Sequence, residues 1–271
     1  IAEYVERYDA FAEYMNALGY IVVAEDHMGH GKSINGEGVQ GYFHGGWFTA
    51  VADSYALLEK TRQEFPNLPY VLLGHSMGSF MTRTLLCAYP DSGISAAVIC
   101  GTGWKPRTLL ASGIAICQAV CKVQGEATPS EALQNMAFAN YNKRVEHPKT
   151  PFDWVCRDPK VVSDYVADPL CGFTATSGLL RDMLTGIAYI ENPQNLAAMK
   201  KDLPVFFIAG GDDPVGNYGK GVRQAVAAFQ RARMQDVTCK IYPLGRHEIL
   251  NELNKQEVYG DVSSWLNGKI F

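Results

Sequence analysis

The sequence predicts an α/β fold: a mostly parallel sheet flanked by helices, with a helical insertion ahead of its last strands. Three observations predict it. Short apolar runs alternate with amphipathic stretches of helical period at both ends of the chain. Those runs are apolar throughout rather than every second residue, the pattern of strands covered on both faces. Between Gly103 and Pro204 the alternation stops and the chain reads as helices and loops. The expected organisation is a core made of residues 1–102 and 203–271, with residues 103–202 inserted as a helical cap.

The elements follow in order. Tyr4, Val5, Tyr8, Phe11, Ala12, Met15 and Leu18 recur near the helical period, predicting a helix over 3–18 that Gly19 closes. Tyr20–Ala24 reads as a buried strand. A glycine-rich loop runs from Gly29 to Gly46, and a helix is expected over 48–63. Tyr70–Leu73 is a second strand. Met77–Tyr89 is a helix that Pro90 ends, since proline cannot continue it. Ala96–Cys100, Val205–Ala209 and Val237–Ile241 complete the strands, and a last helix is expected from Gln256 to Leu266.

Composition narrows the function. Of 271 residues, 47% are hydrophobic and 19% charged, which excludes a disordered or fibrous chain. The net charge is −4 and no basic stripe stands out, so nucleic acid is not an expected partner. Seven cysteines, an odd number without framework spacing, read as reduced thiols and point to the cytoplasm. Cys117 and Cys121 share a helical face but lack further ligands for a metal. No run is long enough to span a membrane.

Gly74-His75-Ser76-Met77-Gly78 matches G-x-S-x-G between a strand and a helix, the setting that lifts a serine hydroxyl clear on a tight turn. The flanking glycines are expected to be there because the elbow tolerates no side chains beside it. Serine needs a base to take its proton, and the base needs a carboxylate to hold its tautomer. Asp212 and Asp213 follow the strand Val205–Ala209, and His247 follows the strand Val237–Ile241. The other histidines fit less well: His75 lies inside the elbow, His147 precedes a proline, and His27, His30 and His44 sit on the early loop. Gly31-Lys32-Ser33 lacks the earlier glycine of a phosphate-binding loop, since position 26 is Asp. Glu25, Asp26, His27 and His30 suggest zinc by composition alone.

On these residues the chain resembles the monoacylglycerol lipase/lysophospholipase branch of the α/β-hydrolases, a group also described as serine aminopeptidase-like. The resemblance is carried by Glu25–Ser33, Gly74–Gly78, Val166–Phe173, Asp213-Pro214-Val215 and His247-Glu248. It implies an α/β-hydrolase fold with Ser76 as nucleophile, Asp213 rather than Asp212 as orienting acid and His247 as base, with no cofactor or metal. It implies Met77 N–H as one oxyanion donor. Glu3 and Arg7-Tyr8 match a family pattern that puts the second donor at Ile1, although the His-Gly pair expected before it is absent. In that light the chain reads as the greater part of a longer protein, with a strand expected between Tyr20–Ala24 and Tyr70–Leu73 and Ile1 close to Ser76.

The implied substrate is a monoacylglycerol, a lysophospholipid or a similar small lipid ester. A proline-iminopeptidase type of aminopeptidase is the first alternative, with Glu126, Glu131, Asp153 and Asp164 available to meet a free ammonium. A non-catalytic binding protein on a hydrolase fold is the second. The apolar stretch Leu109–Val120 suits an acyl-chain pocket, a plain packed helix or a transient contact between the cap and a lipid surface.

Overall fold

The computed structural model describes residues 1–34 and 38–270. The part of the glycine-rich loop at 35–37 therefore lies outside the described residues. In chain order the regular elements are α1 (Asp9–Ala17), α2 (Trp47–Glu64), β1 (Val71–His75), α3 (Met77–Ala88), β2 (Ala96–Cys100), α4 (Arg107–Gln124), α5 (Glu131–Phe138), α6 (Pro159–Ala167), α7 (Ser177–Ile190), α8 (Pro193–Ala198), β3 (Val205–Gly210), α9 (Lys220–Arg231), β4 (Val237–Tyr242) and α10 (Lys255–Ile270). Short 3-10 turns precede α1 at Val5–Tyr8 and stand at Tyr141–Arg144 and Asp153–Val155 within the insertion.

The four strands form one parallel sheet in the order β1-β2-β3-β4. Alternate residues feed two apolar layers, as the pleat requires. Ala96, Val98 and Cys100 of β2, with Phe206 and Ile208 of β3, meet Phe11 and Met15 of α1 and Val258, Val262 and Leu266 of α10. Ala97, Ile99, Val205, Phe207 and Ala209 face the other way, toward Phe80 and Leu85 of α3 and Val222 and Phe229 of α9. Both layers being covered explains why β2 and β3 are apolar without alternation, whereas β4, partly exposed at the sheet's end, carries Thr238 and Lys240.

One expected strand does not form. Tyr20–Ala24 forms no regular secondary structure and takes no place in the sheet, and Ile21 is 52% exposed rather than buried on both faces. The reason is geometric. A strand is held by ladder hydrogen bonds to a neighbour, and β1 pairs only with β2. A cavity of about 510 Å³ is lined on one side by Tyr20–Ala24 and on the other by Tyr70–Gly74. Among the described residues the two segments share no ladder hydrogen bonds. Ile1 lines that cavity together with His75 and Met77.

The insertion is helical, and four of its helices start where the side chains dictate. Ser130, Asp158, Thr176 and Asn192 each accept a hydrogen bond from a main-chain N–H of the following turn, and Pro159 and Pro193 occupy first-turn positions that need no N–H. The insertion is not a detached lobe. Leu179, Leu180, Ile187 and Ile190 of α7 and Leu196 of α8 belong to the same apolar cluster as α3. Gly186 of α7 lies against the indole of Trp47, where a Cβ would come within 2.1 Å of the ring, and Trp47 Nε1 donates to Thr84 of α3 at 3.0 Å. The long apolar helix α4 buries Leu110, Cys117 and Cys121 and exposes Leu109, Ile116 and Val123.

Where the insertion joins the sheet, two charged side chains are buried. Arg83 donates through Nη1 to Thr102 Oγ1 (3.1 Å) and Gly103 O (2.9 Å), while its Nε and Nη2 have no partner among the described residues. Glu191, just after α7, accepts from Lys105 N at 2.7 Å through one oxygen, and the other is buried without a partner. Burial pushes the Glu191 carboxyl up to about 7. Its folded-state pKa thus lies above the ordinary carboxyl value, so its contribution is complete at acid pH and is lost as pH rises toward and through 7. We expect Glu191→Gln to gain on the wild type by roughly 2 kcal/mol between pH 5 and pH 8, read from urea unfolding at the two pH values. An unchanged difference would show that Glu191 is ionised throughout.

Candidate active site

The parallel register brings the carboxyl ends of all four strands to one edge of the sheet, and the sequence-predicted residues stand on the loops there. Ser76 follows β1, Asp213 lies beyond β3, and His247 lies beyond β4. All three are buried, Asp213 completely.

Ser76 occupies a strained elbow, with φ +53° and ψ −119°, a conformation that side chains rarely adopt. The elbow is pinned by Ser76 N donating to Cys100 O at the end of β2 (3.0 Å) and by Ser79 Oγ donating to Ser76 O (2.5 Å). Met77 opens α3, so its main-chain N–H is among those that the helix leaves without an internal partner. The two motif glycines are not equivalent. A Cβ at Gly74 would fall 2.2 Å from both Gly78 O and Thr82 Oγ1, so only glycine fits. A Cβ at Gly78 would meet nothing within 4 Å, which corrects the expectation that both glycines are sterically required.

His247 Nδ1 lies 3.0 Å from Asp213 Oδ2. The carboxylate accepts, so the proton sits on Nδ1 and Nε2 is left as the basic nitrogen. The other Asp213 oxygen accepts from Val215 N at 2.8 Å, which fixes the carboxylate plane. Asp212 is partly exposed, and its main-chain N–H donates to Gly245 O (2.9 Å), bracing the β3 and β4 loops against each other. The loops cross at the closest approach the backbone allows: a Cβ at Gly210 would lie 2.1 Å from Gly245 O and 2.2 Å from Arg246 O.

The insertion reaches this loop through its Asp153–Val155 turn. Trp154 packs its ring 5.1 Å from that of His247, Glu248 N donates to Val155 O (2.8 Å), and Arg246 Nη1 donates to Asp153 O and Cys156 O. Asp26, one of the acidic residues that suggested zinc, is engaged in closing its own loop: its carboxylate accepts from Val5 N (2.8 Å) and Lys32 N (2.7 Å). His30 is buried, its pKa pushed down to about 3 by that burial, and its Nδ1 contacts Met28 O.

Sequence reasoning missed a buried charged network behind the elbow. Arg7 donates to Glu3 Oε2 (2.7 Å) and through both terminal nitrogens to Glu248. Tyr8 Oη lies 2.9 Å from Glu3 Oε1 and 2.8 Å from His75 Nδ1, and His75 Nε2 lies 3.1 Å from His247 O. The spacing of Glu3, Arg7 and Tyr8 held the clue, since residues four apart share one side of a helical turn. It served in the sequence only to set the register of Ile1. His75 was passed over for lying inside the elbow.

A parallel sheet wrapped by helices, a serine on a strained strand-to-helix elbow, and a buried aspartate–histidine pair on the following loops define an α/β-hydrolase. Comparison with known proteins agrees. A family model described as serine aminopeptidase, S33, matches residues 1–254, and the chain belongs to that family of hydrolases. A monoacylglycerol lipase of Mycolicibacterium smegmatis is 31% identical over 98% of this chain and 84% of its own length. A monoglyceride lipase of Mus musculus is 27% identical over 99% of this chain and 80% of its own. Among solved structures, a highly thermostable carboxyl esterase from Bacillus coagulans in complex with glycerol superposes with a TM-score of 0.92 at 29% identity, covering 100% of this chain and 88% of that one.

The crossing at Gly210 yields a direct test of the site's construction. Gly210→Ala forces main-chain atoms apart, because the obstructing atoms are carbonyl oxygens and not flexible side chains. We expect a loss of roughly 1–3 kcal/mol in urea unfolding. We also expect a shift of the hydrogen-bonded His247 Nδ1–H resonance in proton NMR. A resonance unmoved in the variant would mean that the loops move together and the pair is insensitive to their spacing.

Proposed function

We propose that this chain cleaves carboxylic esters through Ser76, His247 and Asp213, by way of an acyl-enzyme. The observation that carries the proposal is the His247–Asp213 contact of 3.0 Å, wholly buried, at the same sheet edge as the strained Ser76. Ser76 Oγ attacks the ester carbonyl while His247 Nε2 takes its proton, and Asp213 stabilises the resulting imidazolium. The tetrahedral oxyanion is received by Met77 N–H at the start of α3, with the nitrogen of Ile1 as the second donor. His247 then protonates the departing alcohol, and water repeats the sequence on the acyl group.

The names of the relatives support a monoacylglycerol or similar small lipid ester as substrate. On this reading residues 103–202 form the cap, and the exposed Leu109, Ile116 and Val123 of α4 suit a transient contact with a lipid surface. The aminopeptidase reading fares less well. It needs a carboxylate free to pair with the substrate ammonium, and three of the four candidates are engaged, Glu126 with Arg181, Asp164 with Lys160, and Asp153 with Thr150 and Lys149 N, which leaves Glu131 in the exposed first turn of α5. A binding protein would have no use for the buried His247–Asp213 pair.

Two measurements test this. The first is covalent labelling of the wild type and Ser76→Ala with a fluorophosphonate. The second is parallel turnover of p-nitrophenyl butyrate, a monoacylglycerol and proline-naphthylamide. We expect labelling only with Ser76 present and turnover of the two esters. Preferential turnover of the amide would overturn the ester reading, and turnover by Ser76→Ala above a hundredth of wild type would remove the nucleophile. We further expect Asp213→Asn to lower kcat by roughly 10⁴, and Asp212→Asn to do far less. The opposite ranking would move the orienting acid by one residue.

A further inference from the structure

The network behind the elbow fixes a protonation state by counting donors. Glu3 is ionised independently of His75: its Oε2 accepts from the guanidinium of Arg7 at 2.7 Å, and that cation keeps its proton at every working pH. An ionised carboxylate only accepts, so the single phenolic proton of Tyr8 goes to Glu3 Oε1. Tyr8 Oη therefore has no proton left for His75, and Nδ1, 2.8 Å away, must donate to it. On the other side of the ring, Nε2 faces the His247 carbonyl at 3.1 Å, which also only accepts. Both ring nitrogens must carry protons, and an imidazole with both protons is a cation.

We propose that His75 is a positioning residue held as a buried imidazolium, whose Nε2–H clamps the main chain of His247 and keeps that residue's ring in register with Asp213. The surroundings fit a fixed charge. Glu3 lies 3.5 Å from Nδ1, and Glu248 acts from the loop beyond β4. Arg7 binds both carboxylates, so two anions, Glu3 and Glu248, meet two cations, Arg7 and His75, in a buried space. The other titratable groups around the ring are the His247 imidazole, with its centroid 4.7 Å away, and, near the same carboxylates, the Cys100 thiol. Burial raises the thiol well above its ordinary value, so it is neutral. The His75 pKa moves the same way as the donor count: burial alone would lower it, and Glu3 and then Glu248 raise it above the ordinary value. Gly101, with φ +60°, sits against both rings, at a spot where a Cβ would come 3.1 Å from His75 and 3.3 Å from His247. His75 touches no reacting atom. It acts on the reaction through the backbone of His247.

The inference rests on His247 being the base, and its tests fail separately from that reading. In the full chain labelled with ¹⁵N-histidine, we expect both His75 ring nitrogens to be protonated at pH 8, where an ordinary imidazole of pKa about 6.5 is neutral. One bare nitrogen at that pH would overturn the proposal whatever His247 does. Glu3→Gln keeps an acceptor for Tyr8 but removes the counter-charge, so the His75 pKa falls. A contribution that needs the cation is then lost as pH rises through that lowered value. We expect the variant's kcat at pH 8 to fall roughly tenfold, the weight of one hydrogen bond, with KM within about twofold. Its pH profile should gain a descending alkaline limb that the wild type lacks. An unchanged kcat with an unchanged profile would reduce His75 to a packing role. Should Glu3→Gln fail to fold, His75→Gln, whose amide N–H can reach the same carbonyl, is expected to retain more activity than His75→Leu. Equal loss in the two would overturn the clamp. Turnover surviving His247→Ala would instead remove the base assignment and leave the imidazolium standing.

Discussion

The site depends first on the parallel ladder through β2. This strand is fully buried and pairs on both sides, with β1 and with β3. Its last carbonyl, at Cys100, accepts Ser76 N–H and so fixes where the elbow begins. One residue on, Gly101 N donates to Ile208 O, and Gly211 N donates to Tyr242 O across the next pair. Three successive hydrogen bonds thus carry the register from the serine, through β3, to the loop that bears the histidine. Because parallel strands end together, side chains far apart in sequence arrive at one edge without any long-range signal in the chain itself.

Much of this was legible beforehand, for physical reasons. The strands β2 and β3 could be read because burial on both faces leaves an unbroken apolar run, while β1 and β4, only partly buried, were marked by short β-forming stretches between helices. The insertion could be read only as a break in the strand–helix alternation, its separate helices remaining unresolved, whereas Pro90 marked the end of α3 in a single residue. Ser76, Asp213 and His247 were legible as an ordered set following strands. Tyr20–Ala24 shows the limit of this. Its composition is that of a strand, but strand formation depends on a neighbour within ladder distance, and no property of the five residues reports that. Gly78 shows a second limit, since a motif position tells nothing of the space around it until the coordinates are known.

The charged network behind the elbow was illegible for a different reason. Glu3, Arg7 and Tyr8 come from the first turn of the chain, His75 from the elbow and Glu248 from the loop after β4. Each looks like an ordinary polar residue until the fold brings them together and shields them in part from water. Burial then forces every proton to be accounted for, which in water it is not. The same removal of water at the joint between sheet and insertion leaves Arg83 and Glu191 with open valences.

The turn at Asp153–Val155 carries a consequence for how such proteins diversify. Arg246, His247 and Glu248 are bound to it through main-chain carbonyls and through the Trp154 ring, so this turn braces the loop that bears the histidine. An insertion of this kind is not an exchangeable cassette. Grafting a foreign one onto this sheet would alter substrate preference only if it carried an equivalent turn, with carbonyls at the same places and an aromatic ring over the histidine. Drift is easier on the exposed faces of α4 and α5, whose buried faces carry Leu110, Cys117 and Leu133 into the main apolar cluster.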